Sequence, residues 1–237
     1  MKYLLVLAVF FSCTSAELAQ VAGAVLQNPA AQGPVTKNEI GLGLKEALSN
    51  GLISAVNSTN RKDGFLGNQL IRIPFPKEAK MVQDALKMVG GSSLINKVTV
   101  SLNRAAEQAS IKAKPIFATA ISQLTFTDVV TILRGSSNEA TQYLQRVTGS
   151  KLVAAFSPDI TKSLKAVHAT KYWADVMSKY NQIPLVKKVN PNLTNYVTNE
   201  AVSGLFKEIA KTEKSIRKNP MERTSYLLKR VFGLLDN

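Results

Sequence analysis

The sequence predicts an all-α protein: a single globular multi-helix domain that follows a signal peptide and contains one extended crossover segment rich in Gly and Pro. Three observations support this prediction. Every long apolar pattern recurs with a period near 3.6 residues, as in helices with one buried face. No stretch sustains the alternation of a β-strand, and Gly, Pro and capping residues divide the chain into helix-sized pieces. Hydrophobic residues make up 45% of the 237 residues, enough for a sizeable core.

The N-terminus has the pattern of a secretory signal peptide. Lys2 precedes an apolar run over residues 4–11, which is too short to span a bilayer, and small residues follow. Two interpretations of the processing remain open. Cleavage can follow Ala16, or it can precede Cys13 with lipidation of that thiol, because FFSC resembles a bacterial lipoprotein box.

These interpretations define the domain organisation and the expected location. Residues 1–16 are assigned to the signal peptide (1–12 if Cys13 is lipidated), 17–35 to a linker and 36–237 to the helical domain. We expect an exported protein of the periplasm or cell envelope, either lipid-anchored through Cys13 or secreted. The mature chain contains no apolar stretch long enough for a transmembrane span.

Capping residues and helix breakers mark the first helices. Thr36 and Glu39 form a capping box, and the helix that they begin carries one apolar face: Ile40, Leu44, Leu48, Leu52 and Val56. Pro76 suits the first position of the next helix, which the pair Gly90-Gly91 should end. A third apolar pattern follows and is expected to break or kink at Pro115, which lacks a backbone donor.

Three pairs of capping residues predict where later helices begin: Thr127 with Asp128, Ser136 with Glu139, and Ser157 with Pro158. In the last pair, Pro158 would take the first helical position, where its missing N–H costs nothing. The helix that Thr127 begins should end at Gly135. Two final helices are predicted over residues 198–218 and 220–235.

Residues 63–76, DGFLGNQLIRIPFP, interrupt the helical pattern and form the predicted crossover segment. The dipeptides DG and GN favour turns, and the two prolines exclude a central strand because neither has an N–H. We expect a tight turn and then an extended stretch, packed onto the helices through apolar anchors: Phe65, Leu66, Ile71, Ile73 and Phe75. Alternatively, this backbone lines a ligand groove together with Asp63 or Asn68.

The helix that contains NRAAEQA (103–109) carries the densest polar cluster. Spacings of three and four place Arg104 near Glu107, and Asn103 on the face of Glu107. The cluster can face a cavity and bind a polar or anionic ligand, face solvent, or brace the DGFLGN turn. With neighbouring residues of the crossover segment it gives a candidate ligand-binding or structural set: Asp63, Asn68, Arg72, Asn103, Arg104, Glu107 and Gln108.

The chain is strongly basic, with 30 Lys and Arg against 16 Asp and Glu and a net charge of +14. This balance favours anionic partners such as acidic lipid head groups or polysaccharides. The positive residues are spread out and form no nucleic-acid-binding arm, so no specific nucleic acid is expected. Near the C-terminus they form a stripe that can contact an anionic membrane surface or simply be solvated: Lys207, Lys211, Lys214, Arg217 and Lys218.

No motif identifies a catalytic residue, a metal site or a cofactor. His168 is the only histidine, and no set of His, Cys and carboxylates has metal-ligand spacing. The sequence contains no G-x-S-x-G nucleophile elbow, and its glycine pair lacks the spacing of a phosphate-binding loop. A carboxylate pair could hydrolyse glycosides, but the sixteen acids offer no way to choose one.

Several blocks in order along the chain carry a resemblance to a known family: DGFLGN with IRIP, NRAAEQA, KPIF, YVTNEAVSGLFKEIAKTEKSIRKNP and RTSYLLKRVFG. Together they resemble a bacterial family catalogued as domain of unknown function 4197. The resemblance covers residues 36–234 and implies an envelope-directed, helical, single-domain protein. It implies no activity.

The sequence favours a non-enzymatic module that binds an unidentified anionic ligand or membrane surface. One alternative is a hydrolase that acts on an envelope polymer through Glu107 and Arg104. Another is a structural subunit that oligomerises through its apolar helices, and the oligomeric state is left open. An unpaired Glu107 in a deep cleft would favour the enzyme, whereas a Glu107 paired with Arg104 at a closed surface would favour the module.

Overall fold

The computed structural model describes residues 33–236 except 89, 183, 186–187, 189 and 191. Over the described residues the chain forms nine α-helices and no β-strand, which confirms the all-α prediction. The helices are α1 Lys37–Thr59, α2 Lys80–Met88, α3 Ser92–Ala109, α4 Ala113–Ser122, α5 Phe126–Arg134, α6 Glu139–Ala166, α7 Ala169–Tyr180, α8 Leu193–Lys218 and α9 Tyr226–Gly233. Cys13 and both predicted cleavage sites lie outside the described residues.

The two longest helices, α6 and α8, pack against each other at the centre of the domain. Helix α3 packs on both of them, α1 packs on α8, and α4 joins α1 to α6. The core between these helices contains large side chains with no exposure to solvent: Leu102, Leu144, Leu152, Phe156, Ile160 and Leu205. Each side chain of this kind stabilises the fold by about 1.5–3 kcal/mol relative to an exposed position.

Most helix boundaries agree with the sequence signals. Helix α2 ends just before Gly90, whose φ of +80° favours glycine. The expected break near Pro115 is present, since α3 ends at Ala109 and the proline lies in the first turn of α4, where a missing N–H costs nothing. Helix α8 begins at Leu193, earlier than predicted, because the side chain of Asn192 caps its first turn.

The predicted helix start at Ser157 and Pro158 is wrong, because α6 continues through both residues. A proline inside a helix normally costs about 3 kcal/mol through its missing hydrogen bond and its clash with the preceding turn. Buried side chains on one face of α6 outweigh this local cost: Leu152, Phe156, Ile160 and Leu164. The chain instead breaks after Ala166, where His168 adopts a positive φ of 54°.

The predicted cap of α5 is also wrong by two residues. Thr125, not Thr127, precedes the helix, and its hydroxyl accepts a hydrogen bond from the N–H of Asp128. The Asp128 carboxylate in turn accepts from the Thr125 hydroxyl at 2.7 Å and from its N–H at 2.9 Å. These two bonds, the hydroxyl first, lower the pKa of Asp128 below its ordinary value.

The first turn of α6 is capped by a side chain from another helix. Glu213 on α8 accepts hydrogen bonds from the N–H of Ala140 at 3.0 Å and the N–H of Thr141 at 2.9 Å, two donors that a helix start leaves unpaired. One turn further along α8, Arg217 donates to Glu213 at 3.0 Å and to two carbonyl groups at the end of α5, at 2.7 and 3.1 Å. This Glu–Arg pair therefore holds the end of α5 next to the start of α6.

Candidate functional site

The crossover segment, residues 63–76, is packed onto the helices through its apolar residues. Phe65 and Ile73 have no exposure, Ile71 is 4% exposed, and the ring of Phe75 meets that of Trp173 edge-on at 5.4 Å. Leu66 is half-buried. The segment approaches α8 so closely that a Cβ on Gly204 would lie 2.7 Å from the Phe65 ring.

Glu107 on α3 bonds directly to the backbone of the DGFLGN turn. Its Oε1 accepts from the N–H groups of Phe65 and Leu66 at 3.1 and 3.2 Å. Its Oε2 accepts from Arg104 at 2.6 Å, and its carbonyl oxygen accepts from Asn60 at 2.6 Å. The side chain is only 5% exposed, so the cost of burying this carboxylate is offset by hydrogen bonds from other groups of the protein.

Arg104 joins this carboxylate to the start of the turn. Its second terminal nitrogen donates to Asp63 at 2.7 Å, and Asp63 adopts a positive φ of 63°. Hydrogen bonds to Glu107 and then to Asp63 raise the pKa of Arg104, so the guanidinium stays charged. The Asp63 side chain is 53% exposed, and a pair so accessible to water contributes little stability by itself.

Asn103, one turn before Glu107, takes the place of a strand partner for the extended part of the crossover segment. Its amide oxygen accepts from the N–H of Ile73 at 2.8 Å, and its amide nitrogen donates to the carbonyl of the same residue at 2.8 Å. Both main-chain groups of a fully buried residue are thus paired. The carbonyl of Pro74 accepts from the hydroxyl of Tyr196.

The other predicted residues of the set lie elsewhere. Asn68 donates to Glu208 on α8 at 2.7 Å and so ties the turn to a second helix. Gln108 does not contact the turn; it accepts from Ser163 of α6 at 2.7 Å. Arg72 is exposed. Asp63, Arg104 and Glu107 are therefore the three residues of the set that meet in one cluster.

A groove opens along α3 next to Phe75, near the end of the crossover segment. Its volume is about 1200 Å³, and its walls are largely apolar side chains of α2, α3 and α7, including Val82, Leu94, Val98, Trp173 and Met177. Leu94 is 53% exposed although it lies on a helix that also forms the core. A cavity of this size is at or above the range of ~300–1,000 Å³ that small-molecule sites occupy.

The groove continues into a smaller polar section of about 580 Å³. Val100, Ser101 and Val167 line both sections, so the two form one continuous surface depression. Arg104 and Gln108 line the polar section, together with Lys162 of α6. A binding surface of this composition can hold an apolar body at one end and an anionic group at the other.

The basic stripe on α8 is exposed at four of its five predicted positions: Lys207, Lys211, Lys214 and Lys218. Its fifth member, Arg217, was predicted wrongly as a surface contact, because its side chain is only 7% exposed and its donors bind Glu213 and the end of α5. No single helix among the described residues is long and apolar enough to cross a membrane. The segments Ser92–Ser122 and Phe126–Arg134 are long and apolar enough only when they are combined, and the chain bends by 107° between them.

Sequence reasoning missed two buried acidic residues and one buried arginine that hold the fold together. Glu208 and Glu213 are 5% and 9% exposed, and each accepts hydrogen bonds from a distant segment. Arg223, 2% exposed, donates to two carbonyls at the end of α8 and to Asp236, and this hydrogen bond lowers the pKa of Asp236. The sequence offered one signal for these residues: the spacing of four between Glu213 and Arg217, which is typical of an ion pair on a helix.

The described residues contain no group of three or more His, Cys, Asp or Glu placed to hold a metal ion. Searches among curated proteins and among solved structures found no significant match to the chain. A sequence model of one family, described as "Protein of unknown function (DUF4197)", matches residues 34–233. Because this match covers most of the chain, the protein belongs to the DUF4197 family.

Proposed function

We propose that the protein is a non-enzymatic binding module of the cell envelope that takes an anionic ligand or an anionic surface. One observation carries the proposal: the groove along α3 runs into a section lined by Lys162 and Arg104. The net charge of +14 adds a long-range attraction for anions to this local arrangement. Among the described residues that line the polar section, the one carboxylate, Asp159, lies 3.7 Å from Lys112 and is thereby compensated.

The state of Glu107 argues against the hydrolase alternative. A general acid or base must reach its substrate and exchange a proton with it. Both Glu107 oxygens instead accept from Phe65, Leu66 and Arg104, and the residue is 4% exposed. A carboxylate paired with Arg104 at a closed surface is the arrangement that favours a binding module.

Export to the envelope is part of this proposal and rests on the signal pattern of the N-terminus. The intact mass of the protein purified from its own cells tests it. A chain that begins at Glu17 indicates secretion, and a lipid-bearing chain that begins at Cys13 indicates anchoring. A full-length chain that still begins at Met1 would contradict export.

Binding to vesicles tests the preference for anions. We expect the protein to bind vesicles that contain phosphatidylglycerol, to ignore vesicles of phosphatidylcholine alone, and to dissociate as salt screens the attraction. Two double charge reversals locate the contact: Lys97→Glu with Lys162→Glu at the groove, and Lys207→Glu with Lys214→Glu on the α8 stripe. Only the groove variant should lose binding.

Three results would count against the proposal as stated. Equal loss in the two variants would indicate diffuse charge attraction instead of a groove site. Equal binding to both kinds of vesicle would remove the preference for anions. A stable oligomer that binds no anionic probe would favour the structural-subunit alternative.

A further inference from the structure

Resting on the binding function proposed above, we infer that the groove takes one long-chain anionic amphiphile, with its acyl chain against the apolar walls and its anionic head in the polar section. The inference names the ligand class by the two chemistries that the groove joins. Val100, Ser101 and Val167 line both sections and mark the junction.

The apolar section fits an acyl chain because it is an elongated surface that the described residues leave uncovered. Leu94, Val100 and Val167 are 53%, 38% and 51% exposed, although each is a large apolar side chain. From Leu94 to Gln108 the groove follows α3 for ~21 Å, at 1.5 Å per residue. An acyl chain laid along this line would remove the exposed side chains from water.

The polar section fits an anionic head group because Lys162 is accessible there. Lys162 is exposed on α6, whereas the charge of Arg104 is already balanced by Glu107 and Asp63. Gln108 also lines this section, and its amide oxygen accepts from the Ser163 hydroxyl at 2.7 Å. The positive charge of Lys162 at this end favours a carboxylate or phosphate over a neutral or cationic head.

The same charges disfavour a second copy of the chain as the occupant. A symmetric contact between two grooves would bring Lys97 and Lys162 of both copies into one desolvated interface. Like charges that close together cost free energy unless carboxylates separate them. An anionic amphiphile neutralises these charges while it covers the apolar walls.

The fluorescence of Trp173 reports ligand binding, because this residue lines the groove and is the only tryptophan of the chain. The full mature protein is titrated with laurate, with dodecanol as the neutral chain and with butyrate as the short anion, all below micelle-forming concentrations. We expect laurate to change Trp173 fluorescence saturably at one molecule per chain. Dodecanol should bind about tenfold more weakly, since a charge-assisted contact is lost, and butyrate should give no change.

Three variants distinguish the contributions of the polar and apolar sections to binding. Lys162→Glu should weaken laurate about tenfold and leave dodecanol unchanged, because only the head group meets this residue. Leu94→Asp should weaken both ligands. Lys207→Glu on α8 is the matched control and should alter neither. All three positions are exposed, and an unchanged far-ultraviolet circular dichroism spectrum verifies folding.

The outcomes distinguish this inference from the function on which it rests. If vesicles of phosphatidylglycerol are bound and laurate is not, the amphiphile site is overturned and the anion-binding function stands. If laurate and dodecanol bind equally and Lys162→Glu changes neither, the anionic head is overturned. If neither laurate nor anionic vesicles bind, both proposals fail.

Discussion

The two sides of helix α3 make opposite use of their residues. On the closed face, Asn103 and Glu107 are polar, yet they are 0% and 4% exposed and fully engaged with the crossover segment. On the groove face, Leu94 and Val100 are apolar, yet they are 53% and 38% exposed. The buried polar residues of α3 thus serve the fold, whereas the walls of the accessible groove are apolar residues of the kind that usually form a core.

The backbone of the crossover segment explains why Asn103 and Glu107 are fully hydrogen-bonded within the protein. An extended stretch without a neighbouring strand leaves its N–H and C=O groups without partners, and burial makes unpaired groups costly. Asn103 pairs both the N–H and the C=O of Ile73, and Glu107 accepts from the N–H groups of Phe65 and Leu66. The closed face is therefore a substitute for a β-ladder.

The largest effect should come from the apolar anchor of the closed face. Phe65→Ala is expected to lower the free energy of unfolding by about 3–5 kcal/mol, because the ring has no exposure and packs against Gly204. Urea denaturation measures the change. Phe126→Ala is the matched control, since that ring is 43% exposed, and should cost much less. Equal losses would mean that the crossover segment is not anchored through Phe65.

The next largest loss of stability should come from the polar brace, the hydrogen bonds by which Glu107 and Arg104 hold the DGFLGN turn. Glu107→Gln is expected to cost about 1–3 kcal/mol, because either orientation of the amide turns its NH₂ group toward a donor, the turn N–H groups or Arg104. Adding Arg104→Met should recover part of the loss, because it removes a guanidinium that has lost its buried partner and keeps only the exposed Asp63. Thermal melts of the single and double variants measure both effects.

Glu208→Gln is a suitable control for this brace, because an amide oxygen can still accept from Asn68. It should therefore cost less than Glu107→Gln. A Glu107→Gln variant more stable than the parent would sink the brace interpretation, since a residue held against its own fold for binding or catalysis behaves in that way.

Helix periods and caps predicted most of the architecture, but they report only on local structure. The spacing of Arg104 and Glu107 indicated a pair that could brace the turn, because both residues lie on one helix. The bonds from Glu213 to the start of α6 could not be predicted, since they join residues more than seventy positions apart. The helix start predicted at Pro158 was wrong for the same reason, because the packing of α6 outweighs the local preference of proline.

The groove escaped prediction because an apolar period does not reveal which neighbour covers it. Leu94 and Leu102 lie on one helix as part of the same kind of pattern, but Leu102 is fully buried and Leu94 is 53% exposed. Whether a helix face is covered depends on the placement of other helices, here α2 and α7. Sequence reasoning therefore assigned the candidate site to polar residues and overlooked the apolar wall.

The tight approach of α8 to the closed face predicts an intermediate effect. Gly204→Ala should lower the free energy of unfolding by about 1 kcal/mol, because its Cβ would lie 2.7 Å from the Phe65 ring and overpacking outweighs the better helix propensity of alanine. Gly149→Ala in α6 is the control. A Cβ there meets nothing within 4 Å, so alanine should stabilise the protein. Stabilisation at both positions would indicate a looser contact.

The smallest effect should come from the groove face. Leu94→Ser is expected to change the free energy of unfolding by less than about 0.5 kcal/mol, since more than half of the side chain is already in water. Leu102→Ser, on the same helix, exchanges the same residue types at full burial and should cost at least ~3 kcal/mol. Urea denaturation of this pair compares the two faces directly. A large loss at Leu94 would mean that another segment or a partner covers the groove, and α3 would then have two closed faces instead of one.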